Sequence, residues 1–392
     1  MLTRRWFLST FPSVPFLGSL RPLEGSLNKR DFFAELGVQP IINAAGTSTV
    51  LSGNLMLPEA MRAWEYASRT FVNLDELHNA VGRRIAALVG SEAALVSAGA
   101  ASALTLGTAA CMTGTNQNFI HRLPDTSGMP DEVIIQKSHR FSYDHAVRNC
   151  GVRMIEIETA QELAGAVNSQ TAMMLFLNVA EPKGRINSAE FARLGKKHAI
   201  PTFIDCAADV PPVENLFKFL KMGYDLVTFS GGKAMRGPQS TGLLLGRKDL
   251  IAAARLNGLP HANSIGRGMK VNKEEMLAMM VALESYLQRD HEGDWRDWER
   301  QVELIAKRVE KVTGARATRF VPEITNRSPQ LHIGWDEDSI KIGRNQLLEE
   351  LRKGNPPIEA RPWEEKELEI LVWTLQPGEA EIVGERIARL LS

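Results

Sequence analysis

Between residues 93 and 246 short apolar runs alternate with stretches of helical spacing, and this alternation restricts the fold more than any other feature. Residues 93–96, 133–136, 153–157, 172–178, 201–204, 226–229 and 242–245 read as strands. Residues 101–112, 143–150, 189–198 and 214–222 read as helices between them. A strand that must return parallel to its predecessor needs a crossover, usually a helix. The pattern therefore predicts an α/β fold: a doubly wound, mostly parallel sheet covered on both faces. Upstream, residues 58–89 carry helical periodicity in at least two pieces. The turn Gly258-Leu259-Pro260 marks a break. Beyond it lie a long helical zone, 273–312, and a second α/β set with strands near 331–335, 358–360 and 368–375 and helices near 344–353 and 379–391. At 392 residues, two to three units are expected from roughly 150 residues per domain. The division expected is an N-terminal arm or signal at 1–30, a segment at 31–57 packing on the smaller domain, a large domain at 58–258 and a small C-terminal α/β domain at 259–392.

Charge narrows the partners. Lys+Arg and Asp+Glu are both 46, so the chain lacks the basic excess with which proteins usually track a phosphate backbone, and nucleic acid is disfavoured. Cys111, Cys150 and Cys206 are too few and too scattered for a disulfide framework or a zinc site, no HExxH occurs, and no metal is expected. Residues 93–120 carry no charge, yet Ser97, Gly99, Ser102, Thr105, Thr108 and Thr113 interrupt them, so close burial fits better than a membrane span. Thr3-Arg4-Arg5-Trp6-Phe7-Leu8 resembles a twin-arginine export signal, followed by an apolar stretch. Pro12, Pro15 and the missing A-x-A site weaken that match, and a plain N-terminal arm is the alternative.

The chemistry gathers at strand ends. No GxGxxG follows an early strand, and Gly232-Lys233-Ala234 lacks the remaining residues of a P-loop. Lys233 instead follows an apolar strand in a turn with two glycines, Ser230-Gly231-Gly232-Lys233. A lysine there, in a partly dry site, can lose its proton and form a Schiff base with a carbonyl cofactor. Asp205 ends the preceding strand, and a strand–helix–strand unit brings two such ends to one edge of the sheet. A carboxylate so placed keeps a pyridinium nitrogen protonated, and small Ala207 lets a flat ring lie close. Gly99, Ala100, Ala101 and Ser102 form a strand-to-helix turn suited to a phosphate. His139, after the strand at 133–136, offers an aromatic ring to cover the cofactor, with His145 as its competitor. Taken singly, each has an ordinary reading: a solvated loop lysine, a helix-capping Asp, a plain turn, a surface histidine. In this order they supply the parts of one ligand site.

These residues resemble a fold-type I pyridoxal-phosphate enzyme. The motifs at 41–47 (Ile-Ile-Asn-Ala-Ala-Gly-Thr), 90–94, 97–101, 230–233, 266–270 and 356–361 resemble, more narrowly, the bacterial selenocysteine synthase-like group, which includes D-glucosaminate-6-phosphate ammonia-lyase-type proteins. The resemblance spans about residues 31–392. It implies pyridoxal 5'-phosphate as cofactor, Lys233 as Schiff-base lysine and general base, and Asp205 as ring-nitrogen partner. It implies that the Gly99–Ser102 turn, with Ser230, holds the phosphate. It implies substrate contacts at Arg361, Asn43 and Arg267, the last serving the phosphate or substrate of the neighbouring subunit, and active sites shared in a homodimer or larger assembly. The activity implied is β-elimination or ammonia loss from a small amino acid or amino-sugar acid. Selenium transfer on seryl-tRNA, aldolase, racemase and transaminase chemistry remain as alternatives. A non-catalytic scaffold would need neither Asp205 nor Lys233.

Overall fold

The computed structural model describes residues 30–336 and 338–392; the arginine pair at positions 4 and 5 lies outside them. The chain divides between Ile41 and Ile42. Within residues 30–41, a single short helix, Phe32–Glu35, begins at Asp31, whose side chain accepts from Ala34 N at 3.0 Å.

From Ile42 onward the described residues form thirteen strands in three sheets. In chain order these are β1 (Ile42–Asn43), β2 (Ala93–Ser97), β3 (Glu132–Gln136), β4 (Arg153–Ile157), β5 (Thr171–Leu177), β6 (Thr202–Asp205), β7 (Leu226–Ser230), β8 (Gly242–Gly246), β9 (Ala315–Phe320), β10 (Gln330–Trp335), β11 (Ile358–Glu359), β12 (Arg361–Trp363) and β13 (Glu367–Leu371). The large sheet has the order β2-β8-β7-β6-β5-β3-β4, in which β8 alone runs antiparallel to its neighbours. Alternate side chains feed two cores, one on each face. Val96, Met174, Ile204 and Phe229 enter one core, and Leu95, Leu175, Phe203 and Leu244 the other. A third core lies under the antiparallel sheet β12-β13-β10-β9, with Leu331, Ile333, Leu368 and Ile370 against the helices His291–Val309 and Glu379–Leu391.

The uncharged stretch after residue 93 becomes β2 and the helix Gly99–Thr113, buried almost all round. Thr108 and Thr113 donate to the carbonyls four residues back, so their hydroxyls are satisfied inside the core. A β-carbon at Gly107 would stand 2.4 Å from the Phe203 ring, which explains that glycine by packing alone. No helix of the described residues is long and apolar enough to cross a membrane.

Three elements differ from their sequence pattern. The zone 273–312 is two helices, Lys273–Gln288 and His291–Val309, separated where Asp290 caps the second by accepting from Gly293 N. The first packs on the helix Pro58–Ser68 and joins a core of the large sheet, whereas the second packs under the small one. The run at 368–375 leaves the sheet after Leu371 for a 3₁₀ turn, Val372–Thr374, whose Thr374 hydroxyl donates to Asn43 O at 2.7 Å. β9 was not foreseen because it is an edge strand with mostly exposed, polar side chains, so no apolar alternation marks it.

Candidate active site

The sheet topology brings the chemical residues to one edge. β2, β5, β6 and β7 run in the same direction, and register pairs Leu177 with Asp205, Asp205 with Thr228, Ser230 with Gly242, and Gly242 with Ser97. The ends of β2, β5, β6 and β7 and the start of β8 therefore form one continuous rim, where open α/β sheets bind their ligands.

Asp205 is buried there, with Oδ1 accepting from Ala207 N at 2.9 Å. Burial raises its pKa from 3.8 to about 6, and neighbouring Asp209 adds to that, while the Ala207 amide and Lys233 oppose it. Lys233 is half-buried, and burial lowers its ammonium pKa. Asp205 and Asp209 pull it back up, and Arg361 pushes it further down. The site thus holds an amine predisposed to lose its proton, beside two carboxylates and one guanidinium.

The glycines ahead of Lys233 are required by close contact. A β-carbon at Gly231 would lie 2.2 Å from Met279 Sδ, and one at Gly232 would lie 2.4 Å from Gln239 Cα. Asn54 clamps the same turn: its N donates to Gly232 O at 3.0 Å and its Nδ2 to Lys233 O at 3.3 Å.

At the other end of the rim the helix Gly99–Thr113 starts without a side-chain cap, because Ala98 occupies the capping position. Gly99 has φ +82°, and Gly242 approaches so closely that a β-carbon there would stand 2.5 Å from Gly99 C and 2.6 Å from Ala100 N. This is a cradle of backbone N–H groups with the polarity an anion needs. The Ser102 hydroxyl donates back to Ala98 O at 2.7 Å, so its proton serves the turn; Ala101 is exposed beside it. Half-buried Ser230 and Ala207 are tied together by Ser230 N donating to Ala207 O at 3.3 Å.

Arg361 enters from β12 with 37% of its side chain exposed, and its Nη1 lies 3.4 Å from buried Glu369. Asn43 does not present its amide to the site. Its Oδ1 accepts from Ala45 N and its Nδ2 donates to Gly46 O, both at 3.0 Å, so its side chain shapes a turn. Arg267 lies in the turn after Gly266 and makes no side-chain hydrogen bond or ion pair among the described residues. His139 is a correction. It is fully buried, accepts from Leu177 N at 3.2 Å through Nδ1, and meets Phe176 edge-on at 4.4 Å, leaving no face to cover a ligand. Burial takes its pKa down to about 4, so it is neutral at pH 7.

Sequence reasoning missed Asp209, Asn178 and Thr325. Asp209 is buried, receives the Thr325 hydroxyl at 2.8 Å, and is also hydrogen-bonded by Asn178. Asn178 follows β5 and keeps a buried Oδ1 with no partner among the described residues. A carboxylate four residues after Asp205 and a polar residue closing an apolar strand were both visible signals. Thr325 had none, since it reaches the site only through folding of the distant β9–β10 loop.

The residues present fit pyridoxal phosphate: a depressed amine, a buried carboxylate on the same rim, an uncapped N–H cradle and an orphaned buried oxygen. Fold and site together define a fold-type I pyridoxal-phosphate enzyme. The family model for L-seryl-tRNA selenium transferase (SelA) matches residues 72–351, and the chain belongs to that family. It is 30% identical over 375 residues to a 5'-C-glycyluridine monooxygenase-decarboxylase from a Streptomyces species, covering 92% of each chain. It is 27% identical over 376 residues to the D-glucosaminate-6-phosphate ammonia lyase of Salmonella typhimurium, covering 92% of this chain and 98% of that one. A solved D-glucosaminate-6-phosphate ammonia-lyase structure superposes with a TM-score of 0.82 at 26% identity, covering 93% of this chain and 99% of the other.

Proposed function

We propose that the protein is a pyridoxal-phosphate-dependent lyase that removes ammonia from a small amino acid or amino-sugar acid bearing a β-hydroxyl. One observation carries this reading: the Lys233 amine, its pKa lowered by burial, lies in the field of Asp205, Asp209 and Arg361. Bound at the rim, the cofactor supplies an electron sink that acidifies the substrate's Cα–H.

The chain's own residues do the rest. Backbone N–H groups of Gly99 and Ala100, with Ser230 nearby, hold the phosphate. Asp205, kept dry, holds a proton on the ring nitrogen, and Asn178 and Thr325 keep Asp209 in place beside it. Arg361 takes the substrate carboxylate, which a guanidinium fork matches with two parallel hydrogen bonds. Lys233 accepts the Cα proton, and a base whose pKa burial has brought down is better matched to that transfer near neutral pH. The net change is loss of ammonia from a 2-amino-3-hydroxy acid to give a 2-keto-3-deoxy acid.

The overall similarity to the ammonia lyase supports this class of substrate, and the zero net charge supports a small molecule over seryl-tRNA. Exposed Val50 and Leu55 flank Asn54, which clamps the Lys233 turn, and Tyr66 and Phe71 are exposed further along the same stretch, which supports a second copy of the chain packing there. The test is ammonia release from D-glucosaminate 6-phosphate and from D-glucosaminate. Release that requires Lys233 supports the proposal. Turnover of seryl-tRNA with a selenium donor, and of neither sugar acid, overturns it.

A further inference from the structure

The small sheet buries Leu331, Ile333, Leu368 and Ile370 on one face. On its other face, register sets three polar side chains in a row: Arg361 of β12 lies opposite Glu369 of β13, and Glu369 opposite His332 of β10. No step at the lysine uses Glu369 or His332.

Glu369 is buried in the middle of this row. Its Oε2 accepts from Arg361 Nη1 at 3.4 Å, and its Oε1 faces His332 Nε2 at 3.5 Å. The His332 ring is itself fixed by stacking between Phe320 and Trp363, with centroids 4.8 and 4.4 Å away and planes inclined by 24° and 21°. Glu367, the other carboxylate on this face of β13, is taken by Arg316. Glu369 is thus the carboxylate left to meet Arg361.

The contact falls on Nη1 alone. Arg361 Nε and Nη2 make no hydrogen bond among the described residues, and together they form the two-donor edge that matches a carboxylate. A guanidinium on a flexible stem binds better when that edge is already aimed, because less freedom is lost on binding.

We propose that Glu369, braced by His332, is a positioning residue that holds Arg361 by Nη1 and presents its Nε–Nη2 edge to the substrate carboxylate. This rests on the assignment of Arg361 to that carboxylate under the proposed function.

The test uses the full-length protein saturated with pyridoxal phosphate and compares two amines. D-Glucosaminate carries the carboxylate, and D-glucosaminitol has a CH₂OH group in its place. Binding of each is followed by the visible absorbance of the bound cofactor. Glu369→Ala should weaken D-glucosaminate by about tenfold or more and leave D-glucosaminitol unchanged, and Glu369→Gln, which still accepts from Nη1, should recover most of the loss. Glu369→Asp keeps the charge but is one methylene shorter. It should lose affinity for D-glucosaminate by a smaller factor, and it carries the test if Glu369→Ala does not fold. Equal losses for both amines would reduce Glu369 to a structural role. Unchanged or tighter binding of D-glucosaminate would mean that Glu369 idles or competes with the substrate. Either result overturns the proposal. Arg361→Gln separates the two readings: it should abolish the preference for the acid. A preference that survives in Arg361→Gln, or is absent from the wild type, removes the assignment of Arg361 itself. A preference lost in Arg361→Gln but intact in the Glu369 variants removes only the positioning role.

Discussion

Asp205→Asn in the cofactor-free protein turns the electrostatics of the site into a stability measurement. Asn keeps the shape and can still accept from Ala207 N, but it carries no charge. The wild-type carboxyl titrates near 6 when folded because burial penalises its charge, against 3.8 when unperturbed. Between those values the folded state holds a proton that the unfolded chain has released, so stability falls as pH rises. A gap of roughly two pH units, at about 1.4 kcal/mol each, comes to about 3 kcal/mol. The advantage of Asn over Asp should therefore be negligible near pH 4, grow through pH 5, and reach about 3 kcal/mol by pH 7. Denaturant titrations of both cofactor-free proteins across that range measure it; effects of titrating groups remote from the site cancel in the difference, whereas Asp209 and Lys233 feel the Asp205 charge and contribute to it. Adding pyridoxal phosphate should reverse the ranking, because a protonated ring nitrogen gives the carboxylate its partner. A stability difference independent of pH, or one that shrinks as pH rises, would refute the reasoning.

Three further outcomes follow from the packing. Gly242→Ala drives a methyl group into the Gly99–Ala100 backbone and should weaken pyridoxal-phosphate binding by about tenfold or more while leaving the far-ultraviolet circular dichroism unchanged, as a cofactor titration would show. Arg361→Lys keeps the charge but loses the fork, so KM for an amino-acid substrate should rise by roughly one order of magnitude with a smaller change in kcat. His139→Phe takes the acceptor from Leu177 N and should lower stability by about 1–3 kcal/mol, yet leave the visible spectrum of the bound cofactor unaltered. A changed spectrum would return that ring to the site.

Legibility differed from residue to residue for physical reasons. Asp205 and Lys233 were legible as neighbours because Asp205 ends one apolar strand and Lys233 follows the next in its turn, and the spacing of a strand–helix–strand unit fixes which edge those ends share. The cradle at Gly99 was legible because strand, glycine and helix succeed one another locally, whereas its closest partner, Gly242, is set by the pairing of β2 with β8. His139 misled because it too follows a strand of the sheet. The chain there turns into the 3₁₀ segment Lys137–His139 and folds the ring inward beneath β5, which no local pattern announces. Asn43 was read as a substrate contact from the motif at 41–47, but its amide closes a turn with Ala45 and Gly46. Thr325 is ordered by distant contacts, including Asn326 N donating to Ala208 O at 2.8 Å, and only the folded chain brings them together.

The central claim is that Lys233 is the lysine that carries pyridoxal phosphate. Reducing the purified protein with borohydride, digesting it and mapping the peptides by mass tests this directly. The account predicts the pyridoxyl-phosphate mass on Lys233, and none anywhere in Lys233→Ala. The same mass on another lysine, or no modified peptide after incubation with excess cofactor, would contradict it.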